Sequence, residues 1–329
     1  MRVNLYAKKR LSMAGIALIL MVSLMLGIAA GCAAPKEAVT VNIAALKGPS
    51  GMGMAHLFGA EASHYNMTLC STPDEVAGRL ISGEVDIAAV PINLAAVLYN
   101  KMDGKVSIIA LNTLGVLYIL ENGDSIRSIA DLTGKTIYAT GQGATPEYIL
   151  NYLLERNGVA GSVNIEYIGE HAELAALMAA GEIAVAMLPE PNVTAVLQKN
   201  PHLRVALDLT EEWAKVSDTE LVQGCILARN EFIEANPQAL MQFFADFESS
   251  VNEVNSDPEA AAKLIAEAGI MADAQTAKLA IPGSHIVFLR GEGAKAAAKA
   301  MLEVLYNANP KSVGGTMPGE GVYFLGSRE

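Results

Sequence analysis

The sequence has few of the residues that build metal centres, disulfide frameworks or nucleic-acid surfaces. Its 329 residues include three cysteines, five histidines and one tryptophan, and aromatic residues make up 5%. The histidines form no helical i, i+4 pair and the cysteines stand alone, so neither a metal site nor a cofactor is expected. The formal net charge is −12 and no basic patch is visible, which excludes nucleic acid as a partner. There is also no Gly-x-Ser-x-Gly elbow for a hydrolase nucleophile.

The N-terminus has the pattern of an export signal. Lys8, Lys9 and Arg10 precede an apolar run from 13 to 30, which meets Gly31-Cys32. This pattern resembles a bacterial lipoprotein signal peptide, whose cysteine is lipid-modified and begins the mature protein, although Ala29 stands where such signals usually carry leucine. We predict a signal peptide over 1–31, a lipid on Cys32 and a linker over 32–39. An ordinary signal peptide and an uncleaved anchor helix are the alternatives, and all three place the body outside the cytoplasm.

Export permits a disulfide between Cys70 and Cys225, but the sequence does not show whether their Cα atoms lie within bridging distance. A domain of this size folds without such a bond. We therefore expect two buried free thiols. The single tryptophan, Trp213, is expected to pack in the core, with a place in a cleft wall as the alternative.

An internal duplication organises the chain. The stretch Gly83–Pro91, which reads GEVDIAAVP, returns about a hundred residues later as Gly181–Pro189, which reads GEIAVAMLP. Each copy predicts a helix that ends at a glycine, a short buried strand and a proline-marked turn into another helix. Two copies predict two similar α/β lobes, each an open parallel sheet. Since ligands bind beyond the carboxyl ends of such strands, the turns 91–93 and 189–191 should face a common cleft.

Two glycine-rich loops occupy matching positions in the lobes. The first strand, 39–46, leads into 47–53 and a helix through Ala62, while the strand 136–140 leads into 141–146 and a helix through Arg156. Such loops bring backbone N–H groups and a helix N-terminus close to a ligand. Ser50 and Thr145 are placed either to cap these helices or to donate hydroxyls to a ligand. Plain turn chemistry is the alternative, and neither loop is followed by the Gly-Lys-Ser/Thr of a phosphate-binding loop.

The remaining pattern completes a two-lobed chain. Strands are predicted over 106–112, 115–121, 203–208 and 221–228, and helices over 237–255, 258–268 and 294–306. We expect these last helices to pack on the first lobe and support the hinge. The predicted division is 40–120 with 220–329 for lobe 1 and 121–219 for lobe 2.

Several motifs together resemble one family. They are Gly31-Cys32, DLTGKTI at 131–137, Gly181-Glu182 with LPEP at 188–191, and NPKSVGG at 309–315. The chain is similar to extracytoplasmic solute-binding proteins of ABC transporters, in the type II two-lobed group that includes nitrate, sulfonate, taurine and thiamine-precursor binders. The resemblance covers nearly all of the mature chain. It implies a monomeric, lipid-anchored receptor that is not an enzyme, closes around a small-molecule solute and delivers it to a permease and its ATPase.

The resemblance also implies which residues bind the ligand. They come from the loops and strand ends that face the cleft: Lys47, Pro49, Ser50, Gly51, Met52, Ser71, Thr72, Asn93, Asn112, Thr113, Gln142, Gly143, Ala144, Thr145, Glu170 and Glu190. Glu190 favours a ligand with an amine or ring N–H, because a desolvated carboxylate needs a partner. Lys47 favours an anionic group instead. The two together permit a zwitterion or a polar heterocycle.

Two other functions remain open from the sequence. Enzymes share this two-lobed fold, including cytoplasmic dehydratases of menaquinone synthesis and a thiamine-pyrimidine synthase, although the export signal disfavours both and the cysteine-rich motif of the synthase is missing. A receptor domain that reports ligand binding to a signalling partner is the third possibility.

Overall fold

The computed structural model describes residues 39–59 and 64–326. The predicted signal peptide, the lipidation site Cys32 and the linker as far as residue 38 lie outside this part. Within it, none of the helices combines the length and the apolar character needed to cross a membrane.

The body contains two mixed β-sheets with helices on their faces. The first sheet has six strands in the order β11-β4-β10-β3-β1-β2, and the second has five in the order β7-β6-β8-β5-β9. The strands are β1 Val41–Leu46, β2 Tyr65–Cys70, β3 Ile87–Pro91, β4 Val106–Thr113, β5 Leu117–Glu121, β6 Thr136–Ala139, β7 Asn164–Tyr167, β8 Val185–Pro189, β9 Arg204–Asp208, β10 Gly224–Arg229 and β11 Ile286–Leu289.

Twelve α-helices connect and cover these strands in the described residues. They are α1 Pro49–Met52, α2 Pro73–Ser82, α3 Ile92–Lys101, α4 Thr145–Arg156, α5 His171–Ala179, α6 Asn192–Lys199, α7 Leu209–Ala214, α8 Asn230–Ala235, α9 Pro237–Ser256, α10 Pro258–Glu267, α11 Ala274–Ala280 and α12 Gly291–Ala308.

The duplicated segment folds as its sequence predicts. In the first copy, α2 ends at Gly83 with φ +80°, and β3 then runs into α3; in the second copy, α5 is followed by Gly181 with φ +76°, and β8 runs into α6. Glycine adopts this left-handed conformation without the steric cost that a Cβ brings. Both strands are buried through their first four residues and end at the proline. The prediction of a helix, glycine, strand and helix is therefore confirmed in both lobes.

The expectation of purely parallel sheets is wrong. Strands β1, β2 and β3 are parallel, but β10 runs antiparallel to both β3 and β4, and β5 runs antiparallel to β8 and β9. These antiparallel strands are where the chain passes between the sheets. β10 and β5 therefore present their amino ends, not their carboxyl ends, to the edge where the neighbouring strands stop.

The chain crosses to the second sheet earlier than the sequence predicts. The predicted boundary was between 120 and 121, yet the whole of Leu117–Glu121 pairs within the second sheet. The crossing therefore lies between Thr113 and Leu117. The chain returns between Asp208 and Gly224.

The first glycine-rich loop does not lead into one long helix. It contains the single turn Pro49–Met52 and a 3₁₀ turn at Ala55–Phe58, while Ala62 lies outside the described residues. The loop backbone is closely packed, because a Cβ at Gly51 would lie 2.5 Å from the Leu46 carbonyl oxygen and one at Gly53 would lie 2.8 Å from Ile286. The loop is thus held tightly against the sheet.

Ser250 fixes this loop from beneath. Its buried hydroxyl donates to the Gly53 carbonyl (2.8 Å) and accepts from the His56 N–H (3.3 Å).

We expect Ser250→Ala to lower the free energy of unfolding by about 1–3 kcal/mol, because both backbone groups lose a buried partner. Chemical denaturation measures the change. Ser249→Ala is the control, since Ser249 bonds only the exposed Glu253, and an equal loss in both variants would contradict this role.

The core lies on both faces of each sheet. One cluster, which includes Phe243 and Phe247 of α9, packs α9, α10 and α11 against the first sheet. Another cluster runs from the opposite face of that sheet into the second lobe. Helix α12 contributes to the second cluster through Met301 and Leu302 and packs against both α3 and α4. The C-terminal helices therefore pack on the first lobe, as expected, and α12 also contacts the second.

The two cysteines of the body are buried and free, as expected. Cys70 lies in β2 and Cys225 in β10, with β1 and β3 between those strands. Burial raises the pKa of the Cys225 thiol, which keeps it protonated and unreactive.

Candidate ligand-binding cleft

A cavity of about 700 Å³ lies between the two lobes, a volume in the range that holds a small organic ligand. The first lobe contributes 47–50 after β1, the starts of α2 and α3, the end of β4, the start of β10 and the turn at 270–271. The second lobe contributes 116–117, the second glycine-rich loop, the start of α5 and 189–192. Apolar residues and six prolines form most of the wall: Pro49, Pro73, Pro91, Pro146, Pro189 and Pro191.

Hydrogen bonds join the lobes beside the cavity. The Thr145 hydroxyl of the second lobe donates to Asn93 Oδ1 of the first (3.3 Å), and the Tyr118 hydroxyl donates to the Gly283 carbonyl (2.8 Å). Thr145 occupies the first position of α4, so its hydroxyl points out of the helix toward the cleft. Asn93 lies in the first turn of α3. The first turns of one helix from each lobe thus meet across the cleft.

Glu190 is buried in the cavity wall, with 7% of its surface exposed. Its carboxylate accepts from the Thr194 N–H (3.1 Å) and from the Thr194 hydroxyl (2.9 Å), which caps α6. Burial raises the pKa of Glu190, while the bonds from Thr194 and the nearby His285 oppose the rise. Each carboxylate oxygen has a second lone-pair site, so the group keeps capacity for a further donor.

His171 opens α5 at the cavity edge. Its Nδ1 pairs with the Thr140 hydroxyl at 2.6 Å, and burial lowers the pKa of the ring. The imidazole is therefore neutral near neutral pH. It adds a polar edge to the cavity without adding charge.

Half of the predicted ligand residues line the cavity: Lys47, Pro49, Ser50, Asn93, Thr113, Ala144, Thr145 and Glu190. The other eight do not line the cavity. Gly51 and Met52 are buried in α1, Asn112 is buried behind Thr113, and Ser71 and Thr72 form hydrogen bonds with Glu75 at the start of α2. Gln142 and Gly143 line a separate surface pocket, and Glu170 precedes α5.

Sequence reasoning missed Gln223, Gly224, Asp74, Ile270 and Met271, which also line the cavity. Gln223 and Gly224 were missed because β10 was read as one of a set of parallel strands, whose amino ends would face away from the ligand. Its antiparallel direction brings that end to the cleft. Ile270 and Met271 follow α10, where no sequence signal indicates a place in the cavity wall.

No group of His, Cys, Asp or Glu side chains in the described residues is arranged to hold a metal ion.

A comparison with protein families shows which family the chain belongs to. A family model described as "Menaquinone biosynthesis" matches residues 52–303, which include the second sheet, every strand of the first sheet except β1, and the cleft residues other than 47–50. The chain belongs to this family. A search of curated proteins finds no match.

Several solved structures have the same two-lobed periplasmic-binding-protein fold as this chain. An ABC transporter protein from Parabacteroides distasonis is 25% identical with a TM-score of 0.76, and the match covers 88% of this chain and 100% of that one. The periplasmic aliphatic sulphonate binding protein SsuA from Escherichia coli is 17% identical (TM-score 0.67, 88% and 94% covered). The periplasmic nitrate-binding protein NrtA from Synechocystis PCC 6803 is 11% identical (TM-score 0.57, 84% of each chain covered).

Proposed function

We propose that this protein is the extracytoplasmic solute-binding component of an ABC importer. It captures a small polar organic solute between its lobes and delivers it to a membrane permease served by an ATPase. The observation that carries the proposal is the cavity itself, which both lobes line and beside which Thr145 and Asn93 meet. The 25% identity to an ABC transporter protein supports the same function.

Closure of the lobes around the solute is the proposed mechanism. Within the described residues the chain passes between the sheets only twice, at 114–116 and between β9 and β10. Two passages between the lobes allow a hinge motion. A solute that contacts both walls stabilises the closed arrangement by its differential affinity for that arrangement. The permease then binds the closed form, and the protein supplies no chemistry.

The proposal includes the anchoring and the organisation of the chain. The signal peptide 1–31 is removed, lipid on Cys32 tethers a monomer to the outer side of the cytoplasmic membrane, and 32–39 serves as the linker. The proposed lobes follow the sheets, with 40–113 and 224–326 in the first and 117–208 in the second. The eight predicted residues that line the cavity are the proposed ligand contacts.

The cleft can be tested with Asn93→Leu and Thr145→Leu. Each change puts an apolar side chain where the lobes meet, so we expect ligand-induced stabilisation to disappear while the fold is kept. A ligand at a hundred times its dissociation constant stabilises the native protein by about 2.7 kcal/mol, which a thermal melt detects. Gln142→Leu is the matched control, since Gln142 belongs to the same loop but lies outside the cavity. A full ligand response in both cleft variants would contradict the proposal.

An enzyme on the same fold is the second candidate, because the family description names a biosynthetic pathway. Native mass spectrometry of the purified full-length chain separates the two functions. A receptor keeps a co-purified solute and releases it unchanged, whereas an enzyme converts it. A signalling receptor would also release its ligand unchanged, but it would bind a sensor protein instead of a permease.

A further inference from the structure

The floor of the cavity, formed by Thr113 and Gln223, and Asn112 behind it contain buried polar groups that have no partner among the described residues. Asn112 is 1% exposed and neither its amide nitrogen nor its oxygen is hydrogen-bonded. The Thr113 hydroxyl, in a residue 3% exposed, and Gln223 Nε2 also lack partners. An unpaired buried polar group costs about 1–3 kcal/mol. Three such residues in adjoining strands indicate a place where something else supplies the hydrogen bonds.

Gly224 packs directly against these groups. It lines the cavity beside Thr113 and Gln223, and a Cβ at this position would lie 2.6 Å from Asn112 Oδ1 and 3.2 Å from the Thr113 hydroxyl oxygen. Its backbone does not have the positive φ that calls for glycine. Glycine is therefore needed here for space, because a side chain would collide with Asn112 and Thr113.

Glu190 lies a short distance from this floor. Its N–H donates to the Val116 carbonyl at 2.9 Å, and Val116 is three residues from Thr113, which limits their Cα separation to about 11 Å. One small molecule can therefore reach both the Thr113 and Gln223 donors and the Glu190 acceptor. The apolar wall between them suits an aliphatic or ring body.

The cavity is poorly suited to a compact anion. Among its described lining residues, Lys47 is exposed and no arginine is present, while Asp74 and Glu190 are acidic. At two of the helix starts that line the cavity, the chain's own groups take backbone donors: Thr72 accepts from the N–H of Glu75 in α2, and Glu190 accepts from the N–H of Thr194 in α6. An anion beside Asp74 or Glu190 would meet negative charge.

We infer that the solute is a neutral or amine-bearing molecule with a carbonyl or amide oxygen. The oxygen accepts hydrogen bonds from Thr113 and Gln223, and an N–H or ammonium group at the other end donates to Glu190. This ligand class differs from the sulphonate and nitrate named for the similar structures. The inference rests on the proposed solute-binding function and specifies its ligand.

Three probes of equal chain length test the ligand class: ε-aminocaproamide, hexanamide and hexanesulfonate. Calorimetric titration of the full-length protein should give the tightest binding for ε-aminocaproamide, weaker binding for hexanamide and the weakest for hexanesulfonate. Glu190→Gln should bring the affinity for ε-aminocaproamide down to about that for hexanamide. Tightest binding of hexanesulfonate, or no binding of either amide, would overturn the inference.

Thr113→Val tests the floor. It removes an unpartnered hydroxyl, so the ligand-free protein should melt at the same or a higher temperature while its affinity for both amides falls about tenfold. Thr210→Val is the matched control, since the Thr210 hydroxyl is also buried without a partner but lies outside the cavity; its amide affinities should not change. Equal affinities in the wild type and in Thr113→Val would show that the floor does not contact the ligand.

The proposed function fails by a different result. A sulfonate preference, or unchanged binding in Thr113→Val, overturns only the ligand class and leaves a solute receptor. Chemical conversion of a co-purified compound would instead refute the receptor function.

Discussion

Replacement of Arg204 by methionine is expected to lower the free energy of unfolding by about 3 kcal/mol, because it leaves the Glu121 carboxylate buried without its charge partner. The Glu121 side chain is 5% exposed and the Arg204 side chain 26%. Arg204 bonds this carboxylate and also donates to the Ile126 carbonyl (2.7 Å) and the Gly123 carbonyl (2.9 Å). The pair joins β5 to β9, so its loss weakens the edge of the second sheet.

Denaturation by urea measures this effect, and two variants control it. Lys278→Ala breaks an ion pair with Glu259 that is exposed on both sides and should cost less than about 1 kcal/mol. Adding Glu121→Leu to Arg204→Met should recover part of the loss, because no charge is then left buried. A double variant less stable than Arg204→Met would show that the carboxylate stabilises the sheet without the arginine.

The same pair has a pH dependence with a defined sign. Burial favours the protonated form of Glu121, but hydrogen bonds from Ser125 and Ile126 and the charge of Arg204 lower its pKa overall below the ordinary 4.5. A lowered folded-state pKa contributes stability above the unfolded-state value, and that contribution is lost as the pH falls through the folded-state pKa. The wild type should therefore lose more stability on acidification below 4.5 than the double variant.

Trp213→Ala is expected to cost about 3–5 kcal/mol, the range for truncating a large buried aromatic side chain. Trp213 is fully buried in α7, its ring lies 4.9 Å from that of Tyr152, and its Nε1 donates to the Thr219 carbonyl (2.8 Å). It does not line the cavity. Its role is to pack α7 against α4 in the second lobe.

A melt monitored by circular dichroism measures the loss, and Met241→Ala on an exposed position of α9 should change stability by less than about 0.5 kcal/mol. Below its melting temperature, Trp213→Ala should keep the wild-type affinity for any ligand of the cleft. Loss of that affinity in a folded variant would place Trp213 in the ligand site.

Local signals in the sequence were sufficient for the repeated unit. Glycine at 83 and 181 fits the left-handed end of a helix, and the apolar runs that follow fit a strand buried on both faces. Proline at 91 and 189 marks the end of each strand. These features depend on neighbouring residues only, so the helix–strand–helix order, the two lobes and the position of Glu190 and Asn93 at the cleft could be predicted.

The direction of β5 and β10 could not be predicted from such signals. A strand that is buried on both faces has the same run of apolar residues whether it is parallel or antiparallel to its neighbours. Its direction depends on which strands become its neighbours after the chain crosses between the sheets. For the same reason the sequence did not show that Leu117–Glu121 pairs within the second sheet. The antiparallel direction of β10 also brings Gln223 and Gly224 to the cleft.

The sequence by itself determined the duplicated α/β architecture and the two turns that face one another, because turn chemistry and the periodicity of apolar residues are local properties. Only the tertiary structure decided which side chains line the cleft and which hydrogen-bonding groups are left without partners. Asn112 and Thr113 show the reason: whether a buried polar group is satisfied depends on the strand packed beside it, and here that strand brings Gly224, which has no side chain that could supply a hydrogen bond.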